Sequence, residues 1–193
     1  MAKKESTLFN MVSSLVVVTL VASAALGYVY ELTKEPIAAA KLAKKIRAID
    51  EVVPEYDNNP VEEMYKIPVE GTEDSLEVYP AKKDGKLISS AIRTYSPKGY
   101  GGEVWLMVGL LPDGTINKIA VLEHKETPGL GSKMNGEDFK HQFIGKNPST
   151  FNLKVKKDGG EVDALSGATI SSRAFGQATQ LAYDTYMKGG QHD

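Results

Sequence analysis

The chain begins with a long apolar stretch. No charged residue occurs between Glu5 and Glu31, and residues 8–30 are mostly aliphatic. A membrane-spanning helix needs about 20 such residues, so this length favours a retained transmembrane helix. Two other interpretations stay open, because Ala22-Ser-Ala24 resembles a signal-peptidase site and because a buried core helix is also apolar.

The residues at the two ends of this stretch predict its orientation. Lys3-Lys4 precedes it, and Tyr28 and Tyr30 suit the interface at its far end. The positive-inside rule then places residues 1–7 in the cytoplasm, residues 8–30 across the membrane and the remainder outside the cytoplasm. A cleaved signal peptide would export the same remainder.

A second helical pattern follows. Pro36 suits the first turn of a helix, and residues 37–53 are strong helix formers until Pro54. We therefore expect a helix that starts at Pro36. Residues 31–60 are assigned to a juxtamembrane helix and linker, and residues 61–193 to one folded domain.

Short runs of β-branched, aromatic and aliphatic residues predict strands in that domain. The runs are 64–69, 76–79, 87–95, 104–111 and 116–123. Turn sequences at 83–86 and 112–115 join neighbouring runs, which predicts hairpins and an antiparallel sheet. In the fourth run, Trp105 and Met107 share one face, and Val104 lies on the other.

The last third of the chain adds helices. We expect a short helix over 136–144, a further strand over 151–157, and a closing amphipathic helix over 169–187 that ends before Gly189-Gly190. The predicted fold class is α+β: an N-terminal transmembrane helix, then one extracytoplasmic domain with an antiparallel sheet flanked by helices.

Composition and charge exclude several classes of function. The net charge is −2 and no block of like charges is present, so the sequence predicts no basic surface that would bind nucleic acid. The absence of cysteine excludes disulfides, thiolate metal sites and Cys-ligated iron–sulfur clusters. His124 has no second ligand at metal spacing, so no metal site is predicted. Redox chemistry would need a bound cofactor.

The segment Asp163-Ala-Leu-Ser-Gly-Ala-Thr-Ile-Ser-Ser172 places the hydroxyl of Thr169 at the start of the closing helix. The first N–H groups of a helix lack intrahelical partners, and the macrodipole adds positive charge. A phosphate attached to Thr169 would be held there. Taken alone, the run is also typical of an N-capped helix without a ligand.

Two glycine-rich segments accompany this one. Residues 124–131, His-Lys-Glu-Thr-Pro-Gly-Leu-Gly, leave a strand with glycines that let the backbone approach a flat ligand and a proline that limits the entropy lost on ordering. Residues 96–103, Ser-Pro-Lys-Gly-Tyr-Gly-Gly-Glu, lie at the mouth of another strand, and Tyr100 can pack on an aromatic ring.

In this order, behind an N-terminal apolar helix, the three segments resemble the G subunit of the Rnf-type ion-translocating ferredoxin:NAD oxidoreductase, a bacterial membrane complex. The resemblance covers nearly the whole chain. The related C subunit of the sodium-pumping NADH:quinone reductase shares the segments at 124–131 and 166–169 but is usually longer. Where the family commonly has Thr-Ser, this chain has Ser171-Ser172, which keeps both hydroxyls.

The resemblance implies an FMN-binding domain over 61–193, on the periplasmic side of the inner membrane, with FMN joined to Thr169 by a phosphoester. It implies a flavin transferase that moves FMN from FAD with magnesium and recognises Asp163. The partners would be the other subunits of a membrane redox complex, in which the flavin relays electrons while Na⁺ or H⁺ is translocated.

The resemblance further implies which residues hold the cofactor. Besides Thr169, they are Asp163, Leu165, Ser166, Gly167, Ala168, Ser171, Ser172, Glu126, Thr127, Pro128, Gly129, Leu130, Gly131, Tyr100 and Gly101. The turn is expected at 166–168, and the flavin ring against Glu126, Thr127, Gly129 and Leu130.

Two other functions remain as alternatives: a stand-alone membrane-anchored flavin reductase, and a binding module without covalent flavin. The chain leaves no room for a second catalytic domain and has no Gly-x-Gly-x-x-Gly fingerprint, which argues against the reductase.

Overall fold

The computed structural model describes residues 7–189, which belong to two compact units, Met1–Ala43 and Lys44–Asp193. Lys3-Lys4, on which the predicted orientation depends, lies outside the described residues, as does Gly190 after the closing helix.

The first helix, α1, spans Leu8–Val52. Its most apolar 18-residue window has a mean hydropathy of 2.1 and is 0% buried, so by length and composition it is a candidate membrane span. The core-helix interpretation is wrong, because a core helix would be buried. The hydroxyls of Ser13 and Thr19 donate to the carbonyls of Phe9 and Val16, which satisfies these polar groups within the helix.

The expected helix start at Pro36 is also wrong, because α1 continues through this residue. Proline removes one intrahelical hydrogen bond and crowds the preceding turn. The strong helix formers on both sides of Pro36 keep the remaining turns helical.

Five strands form one antiparallel sheet with the order β1-β2-β3-β4-β5, which confirms the predicted antiparallel sheet and the two predicted hairpins. The strands are β1 Tyr65–Pro68, β2 Ser75–Lys83, β3 Lys86–Ser96, β4 Val104–Leu110 and β5 Ile116–Glu123. The turn between β2 and β3 has positive φ at Asp84 (51°) and Gly85 (72°), the pattern of a type I′ hairpin turn.

The two faces of the sheet pack against different helices. The closing helix, α3 (Thr169–Gly189), covers one face through residues such as Phe175 and Ala178, and the Thr94 hydroxyl donates to the Ala178 carbonyl at 2.8 Å. The other face packs against the last turns of α1, where Ile49 and Val52 are buried. Both faces of the sheet therefore belong to the core of the second unit.

The end of α1 is fitted closely to the sheet. A Cβ on Gly109 in β4 would lie 2.0 Å from the carbonyl oxygen of Val52, so glycine permits this approach. The amide nitrogen of Asn117 donates to the same carbonyl at 2.7 Å and so satisfies one of the unpaired acceptors at the end of the helix.

The expected strand over 151–157 is wrong. In this segment the structure has one isolated bridge, between Val155 and Val162, and a 3₁₀ helix at Lys156–Asp158. Leu153 and Val155 are both buried, and Leu153 belongs to the same core cluster as the inward residues of α3. Their spacing has the period of a strand, although the segment does not join the sheet. The expected short helix is present as α2, at Glu137–Lys140.

Candidate functional site

The three segments at 96–103, 124–131 and 163–172 come together around one cavity of about 570 Å³. A cavity of this volume suits a drug-sized ligand. Its lining residues are Tyr100, Glu126, Thr127, Leu130, Gly131, Lys157, Gly167, Ala168, Thr169, Ile170 and Ser171. The sheet brings the segments together, because 96–103 connects β3 to β4, 124–131 follows β5, and α3 packs across the same strands.

A tight turn precedes α3 and places Thr169. The Ala168 N–H donates to the Leu165 carbonyl at 3.0 Å, and Gly167 has a φ of 73°. This is the pattern of a type II turn, in which the third position needs a positive φ. Thr169 is then the first residue of α3 and is partly exposed at the cavity wall.

Ser172 holds this turn from behind. Its hydroxyl accepts the Leu165 N–H at 2.9 Å and donates to the Ala168 carbonyl at 2.9 Å. The side chain is fully buried and does not line the cavity. Ser172 therefore positions the start of α3, and its hydroxyl is already used within the protein.

Glu126 joins all three segments. Its carboxylate accepts the Gly101 N–H at 3.1 Å and the Ser171 hydroxyl at 2.5 Å, and the residue is 5% exposed. One buried side chain thus ties the loop before β4 and the first turn of α3 to the loop after β5.

Two glycines make this arrangement possible. A Cβ on Gly101 would lie 1.8 Å from the carbonyl oxygen of Lys125, and a Cβ on Gly131 would lie 2.5 Å from the Ser171 hydroxyl oxygen and 2.6 Å from Oε2 of Glu126. Any larger residue would push the segments apart.

The cavity has an apolar rim. In residues 53–189, the exposed large hydrophobic side chains are Tyr100, Leu130 and Ile170, and all three line the cavity. Apolar side chains that cluster on a soluble surface mark a binding site. A flat aromatic ligand with a phosphate fits this set, because apolar side chains stand beside the N-terminus of a helix.

A short ion-paired segment closes one side of the cavity. Arg173 in α3 donates to both carboxylate oxygens of Asp158, at 2.6 and 2.8 Å, and these hydrogen bonds hold the pKa of Asp158 below its usual value. This pair fixes the 3₁₀ helix that carries Lys157 to the cavity wall.

The other expected residues lie beside the cavity instead of lining it. They are Asp163, Leu165, Ser166, Ser172, Pro128, Gly129 and Gly101. The Asp163 side chain is exposed and pairs with Lys156 at 2.8 Å, and its N–H donates to Gln142 at 2.7 Å. Asp163 is therefore accessible to another protein.

The sequence did not indicate two of the lining residues. Lys157 falls in the expected strand that does not form, and Ile170 is the variable residue after Thr169.

His124 is engaged within its own loop. Its Nδ1 accepts the Glu126 N–H at 3.2 Å, and its Nε2 lies 3.1 Å from the amide nitrogen of Asn135. Within residues 7–189, no group of three or more His, Asp or Glu side chains is arranged to hold a metal ion.

Known proteins are similar to this chain over most of its length. The model of the FMN-binding domain family matches residues 99–184, a range that contains the segments at 124–131 and 163–172 and residues 99–103 of the first segment. The G subunit of the ion-translocating oxidoreductase complex from Haemophilus influenzae is 38% identical over 79% of this chain and 77% of its own. The same protein from Vibrio cholerae is 34% identical over 88% of this chain and 86% of its own. The chain belongs to the G-subunit family of ion-translocating oxidoreductase complexes.

A solved structure shows the same fold in a more distant protein. The C subunit of the Na⁺-translocating NADH-quinone reductase from Parabacteroides distasonis is 24% identical, with a TM-score of 0.51, over 72% of this chain and 73% of its own. At this identity the similarity supports the α+β architecture of the domain and nothing more specific.

Proposed function

We propose that this protein is the FMN-carrying electron-transfer subunit of a membrane-bound complex that couples ferredoxin:NAD electron transfer to the translocation of Na⁺ or H⁺. The observation that carries the proposal is the cavity, where the three segments of an FMN-binding domain surround the exposed start of α3. The assignment to an ion-translocating oxidoreductase complex rests on membership of the G-subunit family.

Thr169 is proposed as the attachment point, through a phosphoester to its hydroxyl. Thr169 is the first residue of α3, where the N–H groups lack partners within the helix and the macrodipole would favour the negative charge of a phosphate. Tyr100, Leu130 and Ile170 would contact the ring and exclude water from it. Bound FMN supplies one- or two-electron transfer, and the protein orients and tunes it.

The chain does not activate Thr169 by itself. In the part of the chain that the structure describes, no hydrogen bond reaches the Thr169 hydroxyl, and an unactivated alcohol is a poor nucleophile. A separate flavin transferase with magnesium would supply the activation. The exposed Asp163 beside the turn is proposed as its recognition residue.

Residues 8–30 are proposed to span the bacterial inner membrane, with residues 1–7 in the cytoplasm and residues 61–193 on the periplasmic side. The length and apolarity of α1 support the span, and Lys3-Lys4 supports the orientation. Covalent attachment suits this location, because a dissociable cofactor would be lost by dilution outside the cytoplasm.

The first test is the intact mass of the full-length protein after coexpression with a flavin transferase, together with in-gel flavin fluorescence under denaturing conditions. Wild type is expected to gain the mass of FMN less water, and Thr169→Ala is expected to gain nothing. Thr150→Ala is the control, since it removes an exposed threonine hydroxyl outside the cavity and should keep the flavin. Equal labelling of Thr169→Ala and wild type would refute the assignment.

A further inference from the structure

Glu126 is a buried carboxylate in the wall of the flavin cavity. Its two hydrogen-bond partners, the Gly101 N–H and the Ser171 hydroxyl, are neutral donors. Among residues 7–189 no Lys, Arg or His forms an ion pair with it. An ionised carboxylate accepts hydrogen bonds at both oxygens, and the two contacts of Glu126 fit that form. Lys157 lines the same cavity but forms no ion pair with Glu126, so in this form the carboxylate carries an unpaired negative charge.

The surrounding glycines keep the carboxylate in place. The position of a Cβ on Gly99 is 2.6 Å from Oε1 of Glu126, and that of a Cβ on Gly131 is 2.6 Å from Oε2. The backbone therefore encloses both oxygens, and the side chain cannot turn toward solvent without moving two loops. Burial at 5% exposure also limits screening by water.

We propose that Glu126 is a fixed anion that lowers the reduction potential of the flavin bound in this cavity. This inference rests on the proposed function above. Electrons are added less readily to a ring beside a fixed negative charge, and the effect is strong where water is excluded. Glu126 acts through space, while its two hydrogen bonds keep the charge at one position.

The variant Glu126→Gln tests the effect of the charge alone, because glutamine has nearly the same shape as glutamate. The carbonyl oxygen of glutamine can accept the Gly101 N–H, and its NH₂ can donate to the Ser171 oxygen, because a hydroxyl also accepts. The variant thus keeps both contacts and the side-chain volume, and it loses only the charge.

The experiment is a spectroelectrochemical titration of the flavin-loaded, detergent-solubilised full chain. Loading is first verified by intact mass, and thermal melting of the flavin-free proteins checks the fold. Glu126→Gln is expected to make the midpoint potential more positive by at least about 30 mV for a two-electron couple. This shift corresponds to a tenfold change in the oxidised-to-reduced ratio at a fixed potential. Glu123→Gln, an exposed carboxylate outside this cavity, is expected to leave the potential unchanged.

Glu126→Asp provides the complementary variant, because it keeps the charge but is too short to keep both hydrogen bonds. Its melting temperature is expected to fall while its potential stays closer to wild type than to Glu126→Gln. A loaded Glu126→Gln with the wild-type potential would overturn the inference, as would equal shifts in the Asp and Gln variants.

Failure of Glu126→Gln alone to take up flavin would also overturn the inference, since the proposal gives the charge no part in attachment. Absence of flavin on wild type, with an active transferase, would instead refute the proposed function.

Discussion

Gly131 is one of the residues at which the loop after β5 meets α3. Its Cα faces the Ser171 hydroxyl and the Glu126 carboxylate, with no room for a methyl group. The identity of this residue is therefore set by two side chains that lie 5 and 40 positions away in the sequence.

Gly131→Ala is expected to lower the free energy of unfolding by about 1–3 kcal/mol, because overpacking must displace the Glu126–Ser171 pair. The same displacement should reduce flavin attachment at Thr169. The measurement is denaturant unfolding of the flavin-free full chain in detergent, followed by the fluorescence of Trp105, the single tryptophan.

Gly136→Ala serves as the matched control in the same region. A Cβ there meets its nearest atom, the carbonyl oxygen of Lys133, at 3.1 Å, and the residue has an ordinary φ of −73°. We expect a clearly smaller loss of stability. Equal losses in the two glycine variants would contradict the packing argument.

At the scale of elements, Glu77 of β2 links three parts of the second unit. Its carboxylate lies 3.1 Å from Nζ of Lys45 in α1, accepts a hydrogen bond from Tyr79, and lies 3.8 Å from Arg93 in β3. Burial raises the pKa of Glu77, but the hydrogen bonds and positive charges outweigh it, so the pKa lies below its usual 4.5.

This linkage predicts an acid-dependent loss of stability. Because the pKa of Glu77 is lower in the folded state than in the unfolded state, its contribution is fully present above about pH 4.5 and is lost as the pH falls through the folded-state pKa. Glu77→Gln is expected to be less stable than wild type by about 1–2 kcal/mol at pH 7, and the difference should shrink in acid.

The control for this prediction is Glu55→Gln. The Glu55 side chain is 94% exposed and lies 3.7 Å from Lys83, so its loss should change stability by less than about 0.5 kcal/mol. The measurement is a set of unfolding curves at pH values from about 3 to about 7. A constant difference between wild type and Glu77→Gln over this range would refute the linkage.

For the whole molecule, the proposal depends on membrane integration through residues 8–30. Substitution of Val17 and Leu20 by arginine places two charges near the centre of that span. Each arginine costs about 2.5–3.5 kcal/mol on a scale of helix insertion, so the variant should be lost from the membrane fraction after alkaline carbonate extraction.

The matched control places the same two arginines at Ile37 and Leu42, which are exposed positions of α1 beyond the proposed span. This variant should remain membrane-integrated. Release of both variants, or retention of both, would argue against a span at residues 8–30.

The sequence alone predicted much of this protein, because the decisive signals are local. Runs of β-forming residues predicted five strands, and two Asp-Gly turns predicted two hairpins in an antiparallel sheet; the structure confirms them. The start of α3 at Thr169 is likewise confirmed, since a turn followed by helix formers depends on neighbouring residues. The resemblance carried by the three segments predicted the family to which the chain belongs.

Other features were decided only by tertiary contacts. Helix formers on both sides outweighed Pro36, so α1 continues to Val52, where its end packs on the sheet. At 151–157, Leu153 and Val155 are buried at the spacing of a strand, but the segment is not one of the five strands of the sheet. The hydrogen bonds of Glu126 to Gly101 and Ser171 join residues 25 and 45 positions apart. These residues lie close together because of the order of the strands and the packing of α3, and a local sequence pattern cannot predict such contacts.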